Sequence, residues 1–193
     1  MASEKTQILK YKVAVSGAAD TEFMPPDALP KAQAIGRLIA EHDMVTVTGA
    51  TTGAPYWAAK GAKEAGGIVI GISPASTKRE HVKTYGLPVE YHDLIIYTGF
   101  GYAGRNLLFT RAADAVVTVA GRIGTLNEFT DAFEDKKPQG VLLHGGGTTD
   151  DIEKILKDAH RGMGKVVFDT DPEKLIKKII AMIEKEERER EIE

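Results

Sequence analysis

Short apolar runs recur along this chain, each followed by a stretch whose apolar positions have helical spacing. "KVAVSG" (12–17), "MVTVTG" (44–49) and "IVIGIS" (68–73) read as the first three strands. "DLIIYT" (93–98), "AVVTVAG" (115–121), "GVLLHGGG" (140–147, strand plus loop) and "KVVFDT" (165–170) read as four more. Between the first two, residues 26–43 place Ala32, Ile35, Gly36 and Ile39 at i, i+3, i+4, i+7, the signature of one helix face. Further helices are predicted over 55–67, 104–114, 124–135, 149–162 and 171–191. Glycines stop the first of these, and acidic N-cap candidates open the one at 149. Residues 74–92 read as a long polar irregular connection.

Strict alternation of strand and helix predicts an α/β chain: a Rossmann-like, doubly wound parallel sheet of about six to seven strands with helices on both faces. The strands are Val/Ile-rich and nearly continuous, as strands covered on both faces should be. In the last helix, Ile176, Ile179, Ile180 and Ile183 are expected to pack on the sheet or on a second subunit. The charged end, about 184–193, reads as a solvated helix terminus.

Composition narrows the function more than the fold. The 193 residues suit one domain over the whole of 1–193 with a sizeable core, and 42% hydrophobic content excludes a disordered chain. A net charge of −3 offers no basic surface for nucleic acid or an anionic membrane. With no cysteine, disulfides, thiolate metal sites and cysteine nucleophiles are excluded. Residues 1–12 carry no apolar signal-peptide core, and no run approaches bilayer length, so a cytoplasmic protein is expected.

Nearly every predicted strand ends in small residues: "SGAAD" (16–20), "TGATTG" (48–53), "TGFGYAG" (98–104), "AGRIGT" (120–125) and "HGGG" (144–147). In a parallel sheet these ends share one edge, where ligands bind at the reversal of strand order. Small residues let backbone N–H groups approach a phosphate, and helix N-termini add favourable partial charge. Gly17, Gly49, Gly53, Gly99, Gly121 and Gly124 are therefore candidate ligand contacts. Gly99, Gly101 and Gly104 also spell G-x-G-x-x-G. A dinucleotide fingerprint needs an acid about twenty residues on, at the end of the next strand; Arg122 stands there, and the match opens the fourth β-α unit rather than the first. The match therefore reads as coincidental for NAD, while an arginine able to accept a 2′-phosphate keeps NADP open.

Residues 104–128, "GRNLLFTRAADAVVTVAGRIGTLNE", resemble the signature of the Lonely Guy (LOG) family and its wider Rossmann-like superfamily. Arg105 and Asn106 match its R-K or R-N pair, Ala113, Asp114 and Ala115 its A-D-A, and Gly121, Gly124, Thr125 and Glu128 the end of P-G-G-x-G-T-x-x-E. "GAKEAGGIVIGISP" (61–74) and "TGATTG" extend the likeness to about residues 12–170. "YAGRN" and "GAKEAGG" are most similar to the molybdenum-cofactor-carrier-like branch. Two departures stand out. Ala120-Gly121-Arg122 replaces Pro-Gly-Gly, and Ala50 and Thr51 stand where the family has glycine. Arg122 either contacts the phosphate or occupies part of the site.

The resemblance implies hydrolysis of the N-glycosidic bond of a nucleoside 5′-monophosphate, releasing base and ribose 5-phosphate, with Arg105 and Glu128 as the catalytic pair. A carboxylate can stabilise an oxocarbenium-like state or orient water. Thr125 and neighbouring N–H groups would hold the phosphate. The second reading is a non-catalytic binder, a carrier of a molybdopterin-type ligand or a nucleotide sensor. Either way no cofactor is required, the partner is a small nucleotide or phosphorylated ligand, and relatives form homodimers or larger assemblies. Other chemistries find no support. There is no G-x-S-x-G, H-E-x-x-H or Walker A sequence, the five histidines are scattered, and the superfamily label "possible lysine decarboxylase" meets no Schiff-base lysine.

Overall fold

The computed structural model describes residues 9–190. Seven strands alternate with helices: β1 Lys12–Ser16, α1 Ala28–Glu41, β2 Val45–Thr48, α2 Ala54–Glu64, β3 Ile68–Ser73, α3 Lys78–Lys83, β4 Leu94–Tyr97, α4 Gly101–Arg111, β5 Ala115–Thr118, α5 Ile123–Glu134, β6 Gln139–Leu142, a 3-10 turn Thr148–Asp151, α6 Ile152–Asp158, β7 Val166–Asp169 and α7 Pro172–Arg190. All seven strands form one parallel sheet in the order β4-β3-β2-β1-β5-β6-β7. The expected doubly wound architecture is present.

The chain runs outward from β1 to β4, then returns across the sheet to place β5 on β1's other side, pairing Val13 with Ala115 and Ser16 with Thr118. This reversal puts a crevice at the carboxyl ends of β1 and β5. Alternation along β1 decides what each face buries. Val13 and Val15 join α1 and α7 in one core, whereas Ala14 joins Phe109 of α4 and Ala132 of α5 in another. Ile176, Ile179 and Ile183 are buried in the first core, so the apolar face of α7 packs on the sheet. Helices α1 and α2 touch through small residues. A Cβ on Gly36 would lie 1.8 Å from the Ala58 carbonyl oxygen.

Three expectations need correction. The connection 74–92 contains α3, whose start is set by the Thr77 hydroxyl accepting the Glu80 N–H. The helix expected at 104 starts at Gly101, so Arg105 sits one turn inside it rather than at its beginning. The helix expected over 149–162 is a 3-10 turn followed by the short α6. There the Asp150 carboxylate accepts the N–H groups of His144 and Gly146, so it ties the β6 loop instead of capping a helix. No helix among the described residues is long and apolar enough to cross a membrane.

Candidate functional site

The crevice between β1 and β5 opens into a cavity of about 350 Å³. The loop leaving β1 forms one wall with Gly17, Ala18 and Ala19, and the first turn of α5 forms the opposite wall with Gly124 and Thr125. Helix α4 crosses beneath and supplies Tyr102, Arg105 and Asn106, while Glu128 rises from the second turn of α5. As the first residues of α5, Ile123, Gly124 and Thr125 have N–H groups without an intrahelical acceptor. They give this wall a positive partial charge. A Cβ on Gly124 would meet nothing within 4 Å, so the backbone here is open to close approach.

Glu128 and Arg105 are 7% and 5% exposed. Arg105 Nη1 donates to Glu128 Oε1 at 2.8 Å, and the Ser16 hydroxyl donates to Glu128 Oε2. With its amide nitrogen turned inward, Asn106 donates to Glu128 Oε1 at 3.0 Å and to the Tyr102 carbonyl oxygen at 2.8 Å. Both carboxylate oxygens are thereby engaged by the protein itself. Burial pushes the Glu128 carboxyl above the ordinary glutamate range, against the lowering influence of Arg105 and Ser16. Arg105 Nε is buried without a hydrogen-bond partner.

Gly49 explains how the guanidinium fits. A Cβ there would lie 2.8 Å from Nη1 and 2.9 Å from Nη2 of Arg105. The bare backbone at the end of β2 is thus the surface on which Arg105 lies. The neighbouring Ala50 adopts the left-handed backbone, φ 53°, that a glycine would take without cost. Gly53 precedes α2 and packs against the carbonyl oxygens of Ala18 and Ala19, so it shapes the β1 loop from behind. Gly121 packs on the Thr125 side chain, where a Cβ would sit 2.4 Å away.

Arg122 is 61% exposed in its side chain and lies on the rim rather than filling the cavity. Its Nη1 pairs with the Asp20 carboxylate at 2.9 Å, and its guanidinium lies 5.9 Å from the centre of the Phe23 ring.

Seven of the sequence-nominated residues therefore line one cavity: Gly17, Arg105, Asn106, Arg122, Gly124, Thr125 and Glu128. Gly49, Gly53 and Gly121 shape it from behind. Gly99 does not take part. It follows the edge strand β4, has φ +72°, and faces Ser76. The G-x-G-x-x-G loop is a bend into α4 at the sheet's edge, and Gly104 packs on Phe100 within that helix. Tyr102 lines the cavity and Ser16 donates to Glu128, and neither was singled out; Thr51, noted only as a departure from glycine, lines the cavity too. The signal for Ser16 is its position as the last residue of the central strand.

The remaining candidates have structural partners. Asp114 accepts the Lys12 N–H at 2.7 Å and pairs with the Lys12 ammonium at 2.8 Å. His81 is held by Ser73 and the Pro88 carbonyl, and His92 by Thr48 and the Glu90 carbonyl. Among the described residues no cluster suits a metal ion.

The sequence pattern of the SLOG cluster4 family matches residues 10–176. An uncharacterized protein of Archaeoglobus fulgidus is 34% identical over 103 residues, 53% of this chain and 62% of that protein. The match thus spans less than two thirds of that relative. The molybdenum cofactor binding protein of Rippkaea orientalis is similar in structure, with TM-score 0.75, 28% identity, and coverage of 92% of this chain and 99% of that one. The molybdenum cofactor carrier protein of Chlamydomonas reinhardtii is similar with TM-score 0.73, 27% identity, and coverage of 90% and 99%. These likenesses bear out the LOG-like, carrier-like resemblance of the sequence.

Proposed function

The chain belongs to the SLOG cluster4 family, and we propose that it binds a phosphorylated, ring-bearing small molecule, a nucleotide or a molybdopterin-type compound, without cleaving it. The phosphate lies against the first N–H groups of α5, with Arg105 supplying charge below and Arg122 at the rim. Asn106 and Tyr102 face the remainder of the ligand.

The observation that carries this reading is the state of Glu128. Its oxygens are occupied by Ser16, Arg105 and Asn106. Three of the carboxylate's roughly four acceptor sites are taken in this way, and its charge is matched by Arg105 beside it. Here Glu128 serves to hold Arg105 and Asn106 in place. Similarity to proteins named for binding or carrying the molybdenum cofactor supports the same reading.

A hydrolase is the second reading. It is favoured by one observation, the Arg105–Glu128 pair side by side on the cavity wall. Ligands co-purifying with the protein are to be identified by mass spectrometry, and purine and pyrimidine monophosphates incubated with it. An intact bound ligand and no release of free base are expected. Release of base and ribose 5-phosphate that stops in Glu128→Gln would overturn the binding reading in favour of hydrolysis.

A further inference from the structure

The two faces of the sheet are covered unevenly. Register places Ile68 and Ile70 of β3 and Leu94 and Ile96 of β4 on the face that carries Ala14 of β1 and Val47 of β2. On that face α4 and α5 cover the middle of the sheet through Phe109 and Ala132, and α5 and α6 cover β6 and β7 through Phe129, Ile152 and Leu156. Among the described residues no helix lies over β3 and β4 there, and Ile68, Leu94 and Ile96 are 43%, 54% and 47% exposed. Two neighbouring strands span about 10 Å, the width of one helix with its side chains. The sheet therefore lacks one helix at this edge.

Helix α4 packs beside β3 and is itself apolar on its outer face. Leu107 and Leu108 are exposed, Ala103 and Gly104 are exposed one turn earlier, and Phe100 stands open just before the helix. Arg105 is the only charge between Leu94 and Thr110, and it is buried. Ile68, Leu94, Ile96, Phe100, Leu107 and Leu108 together leave roughly 600 Å² of apolar surface open, the upper end for a monomer. With the small residues of α4 and the half-exposed Tyr102 beside them, the face approaches the about 800 Å² per partner that a standard stable interface buries.

An uncharged strip one helix wide calls for an uncharged apolar helix, and the chain carries one right beside it. We infer that two copies of this chain pair about a two-fold axis, each seating its α4 on the bare β3–β4 strip of the other. The two α4 helices then lie side by side between the two sheets, and Ala103 and Gly104 let them approach closely. A charged partner finds no countercharge on this face. Arg105 and Asn106 project from the opposite, buried side of α4. Each copy therefore clamps the helix that floors the other's crevice.

Sedimentation velocity of the full chain over a range of concentrations tests this. A species of twice the chain's mass is expected at micromolar concentration. Ile96→Lys on the strip and Leu108→Glu on the helix each set an unpaired charge against the partner's apolar surface. Each should raise the dimer dissociation constant about a hundredfold or more. Both positions are exposed in one copy, so circular dichroism should show secondary structure unchanged; Leu94→Lys and Leu107→Glu stand in if it does not. The decisive sample is an equal mixture of the two variants. One seam of the mixed dimer is then wild type, and the other sets the new ammonium beside the new carboxylate. Dimers should return at concentrations where neither variant forms them alone. A chain that stays monomeric at every concentration, or a dimer indifferent to both substitutions, would overturn the assignment of this face. Loss of the dimer in both variants without recovery in the mixture would overturn the seating of α4 on the strip.

Discussion

Arg105→Met isolates the energetics of the ion pair under the site. Methionine keeps an apolar stem over Phe109, whose ring the guanidinium now faces at 5.5 Å, and removes the charge. Glu128, 7% exposed, is then left buried with hydrogen bonds but no countercharge. Removing one partner of such a pair costs about 3–5 kcal/mol. Both groups are almost fully shielded, so no large discount for solvent screening applies. For a domain of this size the loss corresponds to a fall in Tm of roughly 6–20 °C at neutral pH.

The cost depends on pH, with a defined sign. Burial already raises the Glu128 carboxyl, and Arg105 is the strongest influence pulling it down. Without Arg105 the folded value rises further, while the unfolded value stays near about 4.3. Below that value both states are protonated and the variant suffers little from the missing charge. Above it the unfolded chain releases the proton that the folded variant keeps, so stability falls until the folded value is passed. Wild type follows the same course only up to its own, lower folded value, so the gap between the two should open above that value and widen as pH rises. Denaturant unfolding at several pH values measures it. Arg105→Met/Glu128→Gln should recover most of the loss at pH 8, because no unpaired charge remains. A gap that stays constant with pH, or a loss under about 1 kcal/mol at neutral pH, would refute the buried-pair argument.

Three further outcomes are expected. Gly49→Ala pushes a Cβ to 2.8 Å from the Arg105 guanidinium, which Glu128 holds, so it should cost about 1–3 kcal/mol in denaturant melts and weaken ligand binding in parallel. Gly99→Ala forces a left-handed alanine at φ +72° and should cost about 1–2 kcal/mol, yet leave the affinity for AMP unchanged by calorimetry; a loss of affinity would return the G-x-G-x-x-G loop to the site. Burial holds the His92 imidazole below its ordinary range, so its stabilising contribution is complete above about pH 6.5 and is lost as pH falls through the folded value. His92→Gln should show a shallower loss of Tm than wild type between pH 7 and pH 5.

Period and alternation made the sheet legible, because a strand covered on both faces must be apolar throughout, and β1, β2 and β5 are buried along nearly their whole length. Strand order was not legible. β4 reads like its neighbours in sequence, yet its Leu94 and Ile96 are 54% and 47% exposed at the sheet's edge. Helix α3 escaped notice because six residues carry too little periodicity to register. The start of α4 was misread because Gly99 and Gly101 look like a loop, whereas their positive φ angles form the bend that admits the helix three residues early. At the site, Arg105, Asn106, Thr125 and Glu128 were legible by resemblance and do meet at one cavity. The reason for Gly49 was not, since a glycine that makes room for a guanidinium is indistinguishable in sequence from one that makes room for a phosphate.

Pairing of β1 with β5 has a consequence for how the chain is made. As the polypeptide leaves the ribosome, β1 can find β2 within a few dozen residues, but its other edge waits for a partner about one hundred residues downstream. Until then Val13, Ala14 and Val15 present an unpaired, apolar strand edge, the kind of surface that recruits other nascent chains. Docking of β5 closes that edge and, in the same event, brings the β1 loop to the start of α5. Ligand binding therefore reports completion of the sheet. A ligand touching both loops would hold the early and late parts of the chain together, selecting finished molecules by mass action.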